Sequence, residues 1–206
     1  MRLDHSSQIA GRLDFVLETG STNTDLVAAA TANPSDYPDF SVLVAAHQTT
    51  GKGRNGRQWQ APAGTSIAIS VLLRPQIAVS PNDFGWLPLL AGLAMTKAAS
   101  ELLPGSDVGL KWPNDVLVGD RKLSGVLTEL LGDLSGVVVG AGINLTLTRE
   151  QLPVPTATSL ELEGAALPAD EAERFERAIE ALEGSFKIEA AATPAPRKIL
   201  LDRIDG

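Results

Sequence analysis

Short apolar segments separated by tight turns, between residues 108 and 145, place the strongest limit on how this chain can fold. Val108–Trp112 and Val116–Val118 flank a Pro-Asn-Asp sequence, and the turn Gly119-Asp120 leads into Lys122–Leu131. Gly136–Leu145 follows after another short turn. Strands joined by tight turns pair as antiparallel hairpins, whereas parallel strands need a long crossover connection. The region therefore predicts an antiparallel sheet.

The other predicted elements comprise three helices and two strands. The first helix follows a capping sequence, Ser21-Thr22-Asn23, and ends before Asn33-Pro34. Because strands outnumber strand–helix–strand crossovers, the sequence predicts an α+β fold with a mixed, largely antiparallel sheet and helices packed on one face. The helices are expected at Asp25–Ala30, Trp86–Leu103 and Ala169–Ile188, and the strands at Ser41–Ala46 and Thr65–Leu73.

One domain accounts for most of the chain. With 206 residues, of which 44% are hydrophobic, the chain can build one sizeable core. We assign residues 1–190 to this domain. The alanine- and proline-rich stretch Ala190–Pro196 is expected to be a linker within a short tail, residues 191–206.

The composition excludes several kinds of site and partner. The chain has no cysteine and two isolated histidines, His5 and His47, which excludes disulfides, thiolate catalysis and Cys-based zinc sites. A formal net charge of -8 and the absence of a basic helical stripe argue against nucleic-acid binding. No secretory signal is visible, and no apolar run is long enough to span a bilayer. We therefore expect a cytoplasmic protein that binds neither DNA nor a membrane.

Residues 48–59 (QTTGKGRNGRQW) combine three glycines with three cations, Lys52, Arg54 and Arg57, and contain no acidic residue. Glycine permits positive φ angles and a close approach of the backbone to a ligand. Consecutive backbone N–H groups in such a loop can hold an anion. The segment predicts a loop that binds a phosphate or a carboxylate, but by itself it is equally compatible with a flexible surface loop.

Two familiar phosphate-binding motifs do not account for this loop. Gly51, Gly53 and Gly56 match G-x-G-x-x-G, but the dinucleotide-binding motif also needs a helix that begins at its last glycine. The sequence Ala61-Pro62-Ala63-Gly64 prevents a regular helix there. The P-loop pattern fails as well, because no Gly-Lys-Ser/Thr closes the loop. Neither a dinucleotide site nor a P-loop is predicted.

A second polar group lies in the predicted hairpins. Lys111, Asn114 and Asp115 fall within five residues, and Lys122 follows across a turn, so Lys111 and Lys122 can converge on one face. Adenylyl transfer needs cations to offset the phosphate charge and a carboxylate or amide to hold magnesium. Taken singly, Lys122 is better explained as a solvated lysine and Asp115 as a turn residue. Only their combination with the glycine loop indicates a reaction site.

Four ordered segments, STN, QTTGKGRNGRQW, KWPNDVLVGDRKLSGVLTEL and GAGINL, together resemble the catalytic domain of biotin–protein ligases over roughly residues 15 to 190. The resemblance implies a two-step reaction. Biotin and Mg-ATP give biotinyl-5'-adenylate and pyrophosphate, and the biotinyl group then passes to one lysine of a biotin carboxyl carrier domain, such as that of acetyl-CoA carboxylase. ATP, Mg²⁺ and the substrate biotin are thus the expected small molecules.

The resemblance also implies roles for individual residues, matched motif by motif. Trp59 is expected either under the adenine or as an anchor of the core or of a lid. The implied catalytic residues are Lys122, Arg54 and Lys111, and Asp115 is the expected magnesium ligand. The implied biotin-binding residues are Ser21, Thr22, Asn23, Gln48, Lys52, Gly53, Arg54 and Lys122. The implied nucleotide-binding residues are Gly51, Gly53, Arg54, Trp59, Lys111, Asn114, Asp115 and Asn144.

The sequence departs from the family pattern at three places. Lys52 and Asn55 stand where arginines are common, and lysine keeps the charge but lacks the bidentate fork of arginine. Only 20 residues precede Ser21, so no DNA-binding domain is expected, and residues 191–206 are too short for the family's SH3-like C-terminal domain.

Three alternatives remain, two for the function and one for the oligomeric state. A lipoate- or octanoate-type ligase and a non-catalytic biotin-binding protein are the alternative functions. A homodimer formed by edge-to-edge pairing of strands near Gly136–Leu145 is a further alternative to a monomer.

Overall fold

The computed structural model describes residues 10–74, 85–171 and 173–179 of the chain. These residues form nine strands and two long helices, together with helical residues at 171 and 173–179 and 3₁₀ residues at Pro34–Asp36, Arg54–Gly56 and 85–86. The helices are α1 (Thr22–Ala32) and α2 (Leu87–Leu102). The strands are β1 (Arg12–Val16), β2 (Ser41–Ala45), β3 (Gly51–Lys52), β4 (Gln58–Trp59), β5 (Ser66–Leu73), β6 (Val108–Lys111), β7 (Asp115–Val118), β8 (Arg121–Leu130) and β9 (Val137–Asn144).

Seven of these strands form one sheet in the order β1-β2-β5-β9-β8-β7-β6. β1 runs parallel to β2, and every other neighbouring pair in the sheet is antiparallel. The short strands β3 and β4 form a separate hairpin in the connection between β2 and β5. The predicted α+β fold with a mixed, largely antiparallel sheet is confirmed.

One face of the sheet packs against α2. Ile67, Ile69 and Val71 alternate along β5 and point to this face, where they join Met95 of α2 in a single apolar core. Phe175, within helical residues 173–179, belongs to the same core. The period-two alternation of a strand directs every second side chain into this layer.

The opposite face of the sheet carries α1, which corrects the expectation that the helices pack on one face only. Leu26 and Ala30 of α1 form a second, smaller cluster with Leu72, Leu131 and Val138. Leu72 and Val138 lie on the face away from α2, because they are offset by one residue from the neighbours that contact it. α1 covers the apolar end of this second face of the sheet. The rest of the face is more polar and is not covered by α1.

β9 lies in the interior of the sheet, between β5 and β8, and all eight of its residues are buried. The expectation that strands near Gly136–Leu145 are exposed and pair edge to edge with a second chain is therefore wrong. Backbone groups that are already paired on both sides offer no free edge. In the described sheet the edges are β1 and β6.

Several sequence predictions fall partly or wholly outside the described residues. The helix expected at Ala169–Ile188 is helical at 171 and 173–179, and its remaining C-terminal part is not described. The expected linker at Ala190–Pro196, the tail at 191–206 and the domain boundary at 190 lie outside the described residues. No helix in the described part of the chain is long and apolar enough to cross a membrane.

Candidate functional site

A cavity of about 300 Å³ opens on the α1 face of the sheet. Its walls come from the N-terminal end of α1, the β3–β4 hairpin, the β6–β7 hairpin and the facing parts of β5, β8 and β9. The described residues that line it are Ser21, Thr22, Asn23, Gln48, Lys52, Gly53, Arg54, Asn55, Arg57, Gln58, Trp59, Ala68, Lys111, Trp112, Pro113, Asn114, Asp115, Lys122, Gly125, Val126, Leu127, Gly140, Ala141 and Gly142.

A buried hydrogen-bond network forms the inner end of the cavity. The backbone N–H and the hydroxyl of Thr22 both donate to Gln48 Oε1, at 2.8 and 3.0 Å. Ser70 Oγ lies 2.8 Å from Thr22 Oγ1 and 2.7 Å from Asn23 Oδ1. Asn23 Nδ2 donates to the carbonyl of Leu127 at 3.1 Å. These contacts fix the direction of each polar group, so the inner end presents a compact, pre-organised set of donors and acceptors.

Small residues on neighbouring strands form the floor. Ala68, Gly142 and Gly125 lie side by side in the register of β5, β9 and β8. A Cβ atom added to Gly142 would lie 2.6 Å from Cε2 of Trp59, so the indole rests directly on the glycine backbone. A Cβ atom at Gly125 would lie 3.1 Å from Nζ of Lys122. The absence of side chains there lets both large groups lie against the sheet.

A β-bulge turns Lys122 toward the cavity. Val116 pairs with Ser124, but Leu117 pairs with Lys122, so Leu123 has no partner in β7. In a regular strand Lys122 would share a face with Ser124, which points toward α2. The extra residue reverses this alternation and places Lys122 on the same face as its β7 neighbour Leu117. The buried Leu123 fills the α2-side core instead.

Charged groups converge at the open end of the cavity. Nζ of Lys122 lies 2.6 Å from Oδ1 of Asp115. Lys111 is the residue directly opposite Asp115 in the strand register of the β6–β7 hairpin. The expectation that Lys111 and Lys122 converge on one face is confirmed, since both line the same cavity. Side-chain relative exposures of 37% for Lys122 and 27% for Asp115 leave the pair accessible to a ligand.

The glycine loop covers the same end. Between β3 and β4 the chain makes a tight turn in which Asn55 and Gly56 have φ angles of 57° and 72°. Nη1 of Arg54 donates to Oδ1 of Asn114 at 3.1 Å, and Nζ of Lys52 lies 3.8 Å from Oε1 of Glu129. The first contact joins the hairpin to the turn between β6 and β7, and the second joins it to β8. The loop is thus a cover whose attachments are polar and exposed, and a charged ligand can replace them.

The donor set suits a magnesium ion that is shared with a phosphate. No cluster of three or more His, Asp or Glu side chains able to hold a metal alone occurs in the described residues. Mg²⁺ commonly binds through one or two carboxylates plus substrate phosphates, and keeps several waters. The carboxylate of Asp115 and the amide oxygen of Asn114 line the cavity side by side in sequence. They fit a site of this substrate-assisted kind.

Twelve of the residues singled out from the sequence line this one cavity, and two do not. Gly51 lies behind it, packed against Trp59 and Gln48. Asn144 is buried and donates from Nδ2 to the carbonyl of Thr158 at 2.8 Å. Ser70 and the glycines of the floor are not among the site residues that the motifs indicated. The small residues at alternate positions of residues 66–73 and 137–144 could have indicated them.

Comparison with known proteins shows which family this chain is similar to. The model of the biotin/lipoate A/B protein ligase family matches residues 18–144. A biotin–[acetyl-CoA-carboxylase] ligase of Mycobacterium tuberculosis is 46% identical over 159 residues, which cover 76% of this chain and 58% of that protein. The bifunctional ligase/repressor BirA of Escherichia coli is 33% identical over 179 residues, covering 82% of this chain and 53% of BirA. The chain thus spans little more than half the length of these relatives.

Solved structures share the fold. A biotin protein ligase from Aquifex aeolicus in complex with biotin and ATP superposes with a TM-score of 0.64 at 31% identity, covering 86% of this chain and 71% of that one. A biotin protein ligase from Leishmania major in complex with biotinyl-5-AMP gives a TM-score of 0.69 at 26% identity, covering 95% and 80%. The family model covers more than half of the chain, and on this ground the chain belongs to the biotin/lipoate A/B protein ligase family.

Proposed function

We propose that the chain is the catalytic unit of a biotin–[carboxyl carrier protein] ligase. The observation that carries the proposal is the convergence of four separate sequence segments on one cavity. The STN segment and Gln48 form its buried polar end, and Lys52 and Arg54 of the glycine loop form its cover. The KWPND segment and Lys122 supply the charges at its mouth.

The buried end suits the ureido ring of biotin. A ureido group carries two N–H donors and one carbonyl acceptor, and it needs compact complementary groups that are already oriented. Thr22, Asn23 and Gln48 offer hydroxyl, amide and carbonyl groups, which are held by the Thr22–Gln48 hydrogen bonds and by the contacts of Ser70 with Thr22 and Asn23. Ser21 is also buried and lines this end. The valeryl chain would then run over the glycine floor toward Lys122.

In the first step an oxygen of the biotin carboxylate attacks the α-phosphorus of ATP. The bond from that phosphorus to the oxygen bridging to the β-phosphate breaks, and pyrophosphate leaves with the electron pair. Two anions must approach each other, so cations that offset their charge lower the barrier. Lys122, Arg54 and Lys111 line the cavity and would supply these cations. Mg²⁺, held by Asp115 together with phosphate oxygens, would supply further charge neutralisation.

In the second step the amine of the carrier lysine attacks the acyl carbon of the adenylate. The bond between the acyl carbon and the phosphate oxygen breaks, AMP leaves with the electron pair, and the amine loses a proton to solvent. The adenylate must be kept from water until the carrier arrives. The cover formed by β3, β4 and their turn is placed to do so, with Arg54 on the phosphate and Trp59 against Gly142 as an anchor. We propose that the reaction takes place in the cytoplasm.

The test is a transfer assay with defined components. The protein is incubated with ATP, Mg²⁺, biotin and a purified carboxyl carrier domain, while carrier mass and pyrophosphate release are followed. We expect pyrophosphate release that depends on biotin, and a carrier mass increase of one biotinyl group. A carrier in which the acceptor lysine is replaced by arginine serves as the matched control and is expected to gain no mass.

Three results would overturn the proposal or replace it with an alternative. Pyrophosphate release with lipoate or octanoate, but not with biotin, would indicate a lipoate-type ligase. Biotin binding by calorimetry without pyrophosphate release would indicate a binding protein. Pyrophosphate release without carrier modification would show an adenylating unit that does not complete transfer.

A further inference from the structure

The backbone of Lys122 is held by a segment that lies outside the cavity. The N–H of Lys122 donates to the carbonyl of Thr156 at 2.7 Å, and the N–H of Thr158 donates to the carbonyl of Lys122 at 2.8 Å. Lys122 and Ala157 thus form a parallel bridge. We call residues 156–163 the strap. The strap lies beside β8 at Lys122, whereas β9 pairs with β8 from Ser124 onward.

Buried and charged side chains fix the strap. Glu163 accepts two hydrogen bonds from Arg121, from Nε and from Nη2, each at 2.7 Å. The same carboxylate accepts a hydrogen bond from the hydroxyl of Thr158 at 2.5 Å. Only 10% of the Glu163 side chain is exposed, and Thr158 is 1% exposed. From the other side, the amide of Asn144 donates to the carbonyl of Thr158 at 2.8 Å.

The strap contacts Lys122, the residue whose side-chain direction depends on the β-bulge. The bulge disrupts the ladder between β7 and β8 at Leu117 and Lys122, so this stretch of β8 has fewer constraints from its regular neighbour. The strap supplies hydrogen bonds to both backbone groups of Lys122 at that place. A one-residue change of alternation would point the ammonium group into the α2-side core instead of the cavity.

We propose that Glu163, acting through Arg121 and Thr158, is a positioning residue that holds Lys122 in its reactive direction. The inference rests on the proposed role of Lys122 in adenylate formation. Glu163 does not line the cavity, so it can influence the reacting atoms only indirectly, through Arg121 and the strap. Its bidentate contact with Arg121 ties the C-terminal end of the strap to β8, and its hydrogen bond with Thr158 joins that end to the part of the strap that holds the Lys122 backbone. Asn144, expected from the resemblance to lie near the nucleotide, belongs to this support.

Loosening the strap is expected to lower the rate of adenylate formation more than the affinity for biotin. Misplacement of a reacting group by about 1 Å can lower a rate by about 10²-fold. The buried end of the cavity, formed by α1, Gln48 and Ser70, has no contact with the strap among the hydrogen bonds of the described residues. Biotin affinity should therefore change little when the strap is loosened.

The experiment compares Glu163→Gln and Thr158→Val with Asp14→Asn as the matched control. Asp14 forms an Arg–carboxylate pair of similar length, 2.6 Å, with Arg12 on the edge strand β1, away from the cavity. Amide hydrogen exchange is measured at residues 122 and 158, together with the single-turnover rate of adenylate formation and biotin affinity by calorimetry. Thr158→Val removes one hydroxyl at nearly constant volume and serves if Glu163→Gln does not fold.

We expect both strap variants to exchange the amide protons of residues 122 and 158 at least about tenfold faster, and to form adenylate about 10- to 100-fold more slowly. The Asp14→Asn control should match wild type in both measurements. In a Lys122→Ala background, Glu163→Gln should cause no further loss of rate, because its effect passes through Lys122. A purely structural role would instead give additive losses.

The possible failures are distinguishable. Unchanged exchange at residue 122 in the strap variants, or additive rate losses in the double variant, would overturn the positioning role of Glu163. Full adenylate formation by Lys122→Ala would overturn the proposed role of Lys122. The exchange measurement needs no catalytic activity, so it judges the strap independently of the proposed function.

Discussion

The ammonium group of Lys122 lies 2.6 Å from Oδ1 of Asp115, although a regular β8 would put Lys122 on the face of the sheet opposite to Asp115. The unpaired Leu123 in the bulge brings the two charges together. The carboxylate of Asp115 balances the lysine charge. Binding of an anionic substrate would compete for Lys122 and release Asp115 toward a metal ion, so the pair links the two halves of the proposed reaction site.

Replacement of Lys122 by alanine is expected to slow adenylate formation by about 10²- to 10³-fold, the usual effect of losing one group that stabilises developing charge. Pyrophosphate release under single-turnover conditions measures this step. Lys122→Arg keeps the charge and should retain more activity than the alanine variant. If both variants lose activity equally while biotin affinity and thermal unfolding stay at wild-type levels, charge at this position is not the deciding property.

The Arg54→Ala variant should mainly release the adenylate into solution. Arg54 joins the loop to Asn114 across the cavity, and a charge-assisted hydrogen bond to a phosphate contributes about 1.5–3 kcal/mol. Adenylate dissociation is expected to accelerate about tenfold or more, as measured by chasing labelled adenylate with unlabelled substrate. Arg12→Ala, on the distant edge strand β1, is the control. A wild-type release rate in Arg54→Ala would contradict the idea of a cover.

Adding a methyl group at Gly142 is expected to displace the indole of Trp59. The added Cβ would lie 2.6 Å from Cε2 of the indole, well inside contact distance. The free energy of unfolding should fall by about 1–3 kcal/mol through overpacking, and biotin binding should weaken. Gly109→Ala provides a matched control in strand β6, because a Cβ there meets nothing within 4 Å. Equal effects at the two positions, measured by chemical denaturation and calorimetry, would refute the packing explanation.

The Glu163–Arg121 pair should make stability depend on pH. The hydrogen bond from Arg121 holds the pKa of Glu163 below its ordinary value of 4.5, and Thr158 adds to this effect. Because the folded pKa is lowered, the stabilisation is fully present above the unfolded pKa and is lost as the pH falls through the folded pKa. The difference in unfolding free energy between wild type and Glu163→Gln should thus be constant near neutral pH and shrink in acid.

Chemical denaturation at a series of pH values measures this difference. Glu161→Gln removes an exposed carboxylate from the same segment and is the control for a general loss of negative charge. A difference for Glu163→Gln that stays the same from neutral to acidic pH would show that the ion pair does not contribute through ionisation.

Local sequence patterns predicted many of the strands and helices of this fold. The strands at residues 108–145 and the ends of α2 follow from alternation, turn residues and breakers, and the structure reproduces them within a few residues. The edge strand β1 was missed, although Arg12–Val16 alternates polar and apolar residues. α1 begins at Thr22, before the predicted Asp25, and its cap residue Ser21 makes no side-chain capping bond. Ser21, Thr22 and Asn23 serve the cavity instead.

The residues of the candidate site were likewise only partly predictable from the sequence. Ordered motifs indicated residues that the structure brings to one cavity, because the chemistry of a carboxylate meeting a phosphate restricts the side chains that can serve it. Asn144 shows the limit of that reasoning, since it supports the strap from outside the cavity. No local pattern indicated Glu163, because its partner Arg121 lies 42 residues away along the chain.

Residue patterns along the chain indicated the α+β class, the position of the glycine loop, and a set of charged residues that the structure gathers at one cavity. Tertiary structure alone decided that α1 shares a face with the cavity, that β9 is interior, and that Lys122 points toward Asp115. The reason is physical. Alternation and turn preferences act between neighbours in sequence, whereas the face of a strand at a bulge depends on its register with strands and segments that are remote along the chain.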